Sequence, residues 1–204
     1  MRDPTVSAAS AESCTGLVAL DRNSNRALFP PNGWVPPRGL CQYVYPLCYL
    51  YSRQEELYHV HVALWNRYWC RLHALSSRRG SILHLTAMIE GLLQELCPSL
   101  CLHLLEIGLH PTRVAFRWLV YAFAGYLSPP QTLLLWDRII GFDTLELLPL
   151  LALAIFLFRK EALLKAQTAE HALAVLSDAS QLRVTPLLQA VLFAPGKLAS
   201  LENC

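Results

Sequence analysis

Apolar positions recur at helical spacing along most of this chain, and the residues between the runs are those that start and stop helices. The clearest stretch is residues 126 to 160, YLSPPQTLLLWDRIIGFDTLELLPLLALAIFLFRK. Ser128 followed by Pro129 and Gln131 predicts a capped helix start. Leu133, Leu134, Trp136, Ile139 and Ile140 then form its apolar face, with Gly141 as the stop. Asp143 and Glu146 predict a second capping box. From Leu147 to Phe158 no side chain is polar, and Arg159 and Lys160 follow where cations suit the helix dipole. A helix apolar on every side has to be surrounded by protein or by lipid. This run spans roughly 18 Å, whereas a bilayer core needs about 20 apolar residues. The pattern therefore predicts a central core helix with Leu148, Leu151, Ala152, Ile155 and Phe156 inside. A small membrane-associated helical protein is the competing reading.

The rest of the chain follows the same rhythm. Residues 1 to 27 are small, polar and aperiodic, which predicts a disordered or poorly docked lead-in. Residues 28 to 40, LFPPNGWVPPRGL, read as a loop or boundary. CQYVYPLCYLY suits a helix broken near Pro46. Ser52 with Glu55 predicts a capping box and a helix to about Ala74, its stripe made by Leu57, Val60, Leu64, Tyr68 and Leu72 with Trp65 and Trp69 alongside. Further helices are expected over Ile82 to Leu96, Ser99 to Ile107, His110-Pro111 toward Phe123, after a Thr168 cap, and from Val184 to Phe193. No segment asks to be a strand, and no repeat or long heptad run occurs. The expected fold class is all-α, with one helical domain over 28–194 and a tail over 195–204.

Composition sharpens this picture. Hydrophobic residues make up 54% and charged residues 16% of the chain, a balance that favours a thick core or a face that something else covers. A net charge of +2 gives no pull toward nucleic acid or an anionic membrane surface. The seven cysteines are odd in number and form no C-x-x-C pair, which suits reduced thiols packed as small apolar residues. The N-terminus lacks an apolar signal core, so a cytoplasmic location is expected.

Self-contained chemistry is missing. No P-loop, dinucleotide fingerprint, nucleophile elbow or zinc helix occurs, so no cofactor is expected. His59 and His61 face different ways on a helix, and His61 reads as a hydrogen-bonded core histidine. His103 and Glu106 suit a surface pair, Cys97 and Cys101 suit packing, and Arg78 with Arg79 suits a solvated turn. Trp118, Tyr121, Phe123, Tyr126 and Trp136 read as core.

The ordered stretch GLHPTRVAFRWLVYAFAGYLSPPQTLLLWDRIIGFD resembles the C-terminal half of a TBC domain, the fold of Rab GTPase-activating proteins. The matching positions are Pro111, Trp118, Phe123, Leu135, Trp136, Asp137 and Gly141. FPPNGWVPPRG, YPLCYLY and RVTPLLQAVLF resemble a divergent branch of that family, and the likeness covers about residues 28 to 194. It implies a multi-helix TBC-type domain lacking the upstream helices of a full one. Trp136 and Asp137 would serve the fold, the indole packed between helices and the carboxylate tying a neighbouring turn.

The resemblance also implies a partner, a Rab-family small GTPase, whose GTP hydrolysis such domains accelerate. An arginine neutralises charge on the γ-phosphate and a glutamine orients the attacking water. In the family these come from I-x-x-D-x-x-R and Y-x-Q patterns. This chain departs from both. Val18 and Asp21 are followed by Ser24 where arginine is required, and Arg26 comes two residues late. Leu40-Cys41-Gln42 has leucine for tyrosine. Gln42 and Arg26 are thus the candidate site residues, both departing from the pattern, and weak or absent stimulation of any Rab is expected. A non-catalytic interaction scaffold is the alternative. Membrane contact would be indirect. The apolar face of residues 41 to 51, lacking upstream cover, would favour self-association.

Overall fold

A computed structural model of the chain describes residues 39–193 apart from 75 and 77. The helices are α1 (Cys41–Val44), which runs into a 3-10 turn over Tyr45–Tyr49, α2 (Gln54–Leu64), α3 (Ile82–Leu96), α4 (Pro98–Glu106), α5 (Pro111–Val120), α6 (Pro129–Phe142), α7 (Leu147–Phe158), α8 (Lys160–Leu164), α9 (Ala169–Ser177) and α10 (Val184–Phe193). All of them lie in the unit that begins at Cys41. Among the described residues there is no strand, only an isolated bridge between Ala124 and Leu127. The all-α expectation holds.

The apolar run Leu147–Phe158 is the centre of the fold. α7 packs against α3, α5 and α10, while α3 and α5 also pack on each other. Leu148, Leu151, Ala152, Ile155 and Phe156 are fully buried. The helix is enclosed by protein along most of its length, and Phe158 in its last turn reaches solvent. No single described helix is long and apolar enough to cross a membrane; α3 and α4 would pass together on composition, but they meet at a 110° bend.

Several expected caps are replaced by tertiary contacts. Ser128 does occupy the N-cap position of α6 in extended backbone, but its side chain makes no cap bond. Gln131 accepts a hydrogen bond from the Val184 N–H at 2.8 Å, which fixes the start of α10 instead. Gly141 does not stop α6; the helix runs to Phe142 and closes on Asp143 in the left-handed region, φ 50°. Asp143 opens no helix. Its carboxylate accepts from Arg67 Nη2 at 2.7 Å and from the Tyr68 hydroxyl at 2.9 Å. The Arg67 guanidinium, aided by Tyr68, holds that carboxyl below the usual carboxylate range. Glu146 likewise completes no box; it accepts from Arg79 Nε at 2.7 Å, so Arg79 is a tie between segments rather than a free turn residue. Ser52 and Glu55 form no box either. α2 starts at Gln54 with Arg53 in the cap position, and Arg53 pairs with Glu55 and Glu56. The Thr168 cap does form, its Oγ1 accepting from the His171 N–H at 3.2 Å.

The predicted helix to Ala74 is interrupted. Trp65–Trp69 form a wider π-type turn and regular helix resumes only over Cys70–Leu72. Tyr68 and Trp69, adjacent in sequence, are both buried there. His103 does not pair with Glu106; its Nε2 meets the Ala166 carbonyl at 2.9 Å. His61 is half-buried and its Nδ1 has no hydrogen-bond partner among the described residues, contrary to the bonded core histidine expected. Cys97 and Cys101 are buried free thiols, as packing required.

Candidate functional site

Gln42 is held by its neighbour. Tyr43 on α1 is fully buried and its hydroxyl donates to the Val120 carbonyl at the end of α5. That uses the single phenolic proton, so the contact with His73 Nε2 at 3.1 Å has the imidazole as donor. The Tyr43 ring stacks on Trp69 with centroids 5.5 Å apart and meets Trp65 edge-on at 5.8 Å. Burial pushes its phenol far above the ordinary range. A four-residue helix has little stability of its own; this one is pinned through one aromatic side chain.

The opposite wall is the turn after α5. Ala122 and Phe123 both have left-handed backbone, φ 46° and 63°, which non-glycine residues seldom adopt. Surrounding bonds hold it. The Phe123 N–H donates to the Trp118 carbonyl at 2.8 Å, the Ala124 N–H to the Tyr121 carbonyl at 2.8 Å, and the Trp136 indole N–H to the Ala122 carbonyl at 2.9 Å. The turn delivers Gly125, φ 76°, against the Gln42 amide. A Cβ at 125 would stand 3.2 Å from Gln42 Cδ and Oε1, so glycine there serves both the backbone and the glutamine.

Between these walls lies a cleft of about 310 Å³, lined by Gln42, Arg117, Trp118, Tyr121, Gly125, Tyr126 and the end of α9. Trp118 and Tyr126 stack at 4.6 Å, and the Tyr126 hydroxyl donates to the Leu176 carbonyl at 2.7 Å. Burial raises the Tyr126 phenol well beyond the ordinary range, so it is neutral at pH 7. Among the described residues the Gln42 amide has no hydrogen-bond partner, and it is open to a water or a partner molecule.

The predicted site residues fare differently. Gln42 sits in a built cleft. Arg26, with Val18, Asp21 and Ser24, lies outside the described residues. Trp136 packs between elements as expected, 2% exposed and 4.9 Å from Trp69. Asp137 does not tie a neighbouring turn; it is exposed and pairs with Arg138 beside it, at 2.8 Å. The tie belongs to Asp143. Tyr121 and Tyr126, read as core, are half-buried cleft walls. Arg117 is a cleft residue that the sequence reading misses, although a signal exists. No Asp or Glu occurs between Glu106 and Asp137, while Arg113 and Arg117 stand one helical turn apart. Among the described residues no three His, Cys, Asp or Glu side chains gather as a metal site.

Residues 37–182 match the RabGAP TBC domain family. Human TBC1 domain family member 19 is 47% identical over 166 residues, covering 81% of this chain and 32% of that protein. The chain thus spans about a third of the relative's length, and the similarity falls on the branch that FPPNGWVPPRG, YPLCYLY and RVTPLLQAVLF resemble. With a Trp-Asp helix, a buried apolar helix and a glutamine held at a cleft, all within the matched span, the chain belongs to the RabGAP TBC domain family.

Proposed function

We propose that this chain engages a Rab-family small GTPase through the face that carries Gln42, as a GTPase-activating module of weakened power. One observation carries the reading: the Gln42 amide is fixed over a cleft by Tyr43 on one side and Gly125 on the other, with no partner of its own among the described residues. An amide presents one acceptor and two donors, which suits it to hold a water in line with a phosphoryl group supplied by a partner. Family membership makes a Rab the natural carrier of that group, and it makes vesicle trafficking in the cytoplasm the natural setting. Contact with membrane would then come through the GTPase rather than through this chain.

Positioning alone is a modest catalyst. Arginine fingers contribute about 10³ to 10⁵ in rate, and Ser24 stands where the pattern requires that arginine. This departure favours, as a second reading, a scaffold that binds a GTPase without accelerating it. Single-turnover GTP hydrolysis across a Rab panel separates the two. Stimulation by the chain that Gln42→Ala removes supports the activator. Binding of a GTP-loaded Rab with no change in rate supports the scaffold, and neither binding nor stimulation anywhere in the panel refutes both.

A further inference from the structure

Among the described residues, Arg117 is the one ionised group on the wall of the Gln42 cleft. Its guanidinium has no hydrogen bond or ion pair to any of them. Arg113, one turn earlier on the same face of α5, is likewise unpaired among the described residues. Like charges at this spacing repel, and the absence of Asp and Glu from 107 to 136 leaves α5 no local carboxylate to offset them. At the end of α9, the Leu176 carbonyl is capped by the Tyr126 hydroxyl, so that acceptor is occupied rather than turned on an incoming anion.

We infer that Arg117 is the phosphoryl-binding residue of this cleft and contacts the γ-phosphate of GTP held by the partner GTPase. The identity of the phosphate's carrier rests on the Rab-activating reading above; the anion site itself does not. A cleft of about 310 Å³ lies at the lower end of ligand pockets, roughly 300 to 1,000 Å³, and suits a phosphate group better than a whole nucleotide. A guanidinium offers paired N–H donors that match two phosphate oxygens. In hydrolysis the water oxygen bonds to Pγ while the Pγ–O bond to GDP breaks. GDP leaves with the bonding pair, and the water's proton passes to the phosphate formed. Charge accumulates on the oxygens beside Arg117 as the water is held by Gln42. Unlike a residue on a loop, Arg117 sits on a regular helix whose backbone is anchored by the buried Trp118 next to it, while its own exposed side chain stays free to meet an anion.

A cation in the last turn of a helix also suits the helix dipole, but that role would move stability and leave anion binding alone. The test therefore titrates the full 204-residue chain with inorganic tripolyphosphate by calorimetry at low salt. Arg117→Met should weaken binding about tenfold or more, Arg117→Lys should restore part of it, and Lys165→Met should change nothing, all with unaltered helical circular dichroism. The same variants are run against the Rab panel, where Arg117→Met should lower any stimulation and Arg117→Lys should recover part. Tripolyphosphate binding that is absent from the wild-type chain, or undiminished in Arg117→Met, overturns the inference. So does Rab stimulation that survives Arg117→Met in full. Arg117-dependent tripolyphosphate binding with no Rab stimulated overturns the Rab-activating reading instead and leaves the anion site standing.

Discussion

Replacing Trp136 with Phe should cost far more than replacing its neighbour Asp137 with Asn, although the two form one dipeptide. The Trp136 indole N–H donates to the carbonyl of Ala122, a fully buried residue. Phenylalanine has no donor, and leaving that carbonyl unpaired costs about 1 to 3 kcal/mol. The smaller ring also opens a methyl-sized void against Trp69, worth about another 1 kcal/mol. The sum is about 2 to 4 kcal/mol. At about 2 to 4 °C per kcal/mol for a domain of this size, the thermal midpoint should fall by roughly 4 to 16 °C. The loss should also loosen the strained Ala122-Phe123 turn, whose left-handed residues cost about 1 to 3 kcal/mol each and persist only under constraint. Asp137 is exposed and pairs with an adjacent arginine, so Asp137→Asn should stay within about 0.5 kcal/mol. Urea and thermal unfolding followed at 222 nm measure both. Equal costs for the two variants, or a Trp136→Phe protein as stable as wild type, would refute the assignment of the turn's support to the indole.

Three further outcomes follow from the packing. Ile155→Asp places a charge at a fully buried position in α7, a cost of several kcal/mol that rivals the whole stability of a domain, and should give insoluble protein; a soluble, fully helical variant would sink the core assignment. Burial lowers the pKa of both His61 and His73, so below about pH 6.5 the unfolded chain binds more protons than the folded one and stability falls with acid, by at most about 1.4 kcal/mol per pH unit for each histidine. Urea midpoints at pH 7.5 and 5.5 check this, with His61→Phe expected to flatten the dependence. Tyr49, Leu50 and Tyr58 are 61%, 61% and 64% exposed, so sedimentation velocity should show self-association at micromolar concentration that Leu50→Glu reduces; an unchanging monomer across the range would contradict it.

Hydrophobic spacing locates the helices because most of them bury a continuous stripe. α7 is the plainest case, since a segment with no polar side has only one place to go. Spacing fails where a polar side chain chooses a distant partner over its own helix end. Gln131 to Val184 and Asp143 to Arg67 link residues 53 and 76 positions apart, and nothing local announces such pairs. Gln42 is legible through a motif, yet its support is not. Tyr43, Gly125 and Trp136 come from three separate segments and meet only once the chain has folded. Arg117 is hard to see because a lone arginine on an amphipathic helix looks like any solvated residue; its meaning lies in the emptiness of negative charge around it.

The π-type turn at Trp65–Trp69 fixes how this part of the chain tolerates insertion and loss. One residue of an α-helix turns the chain by about 100°, and the wide turn holds one residue more than a regular one. Asn66, within it, is exposed. Deleting its codon would let the turn close into regular helix, where four residues at about 100° each cover the rotation that five cover in the wide turn, so Leu72 and His73 would keep facing Tyr43. The anchor of α1, and with it Gln42, would survive that loss, whereas a residue added to the regular part of α2 would swing His73 about 100° away. Deletion is therefore absorbed where the helix is wide, insertion is not where it is regular, and the genetic fragility of the cleft lies partly in the length of a distant helix.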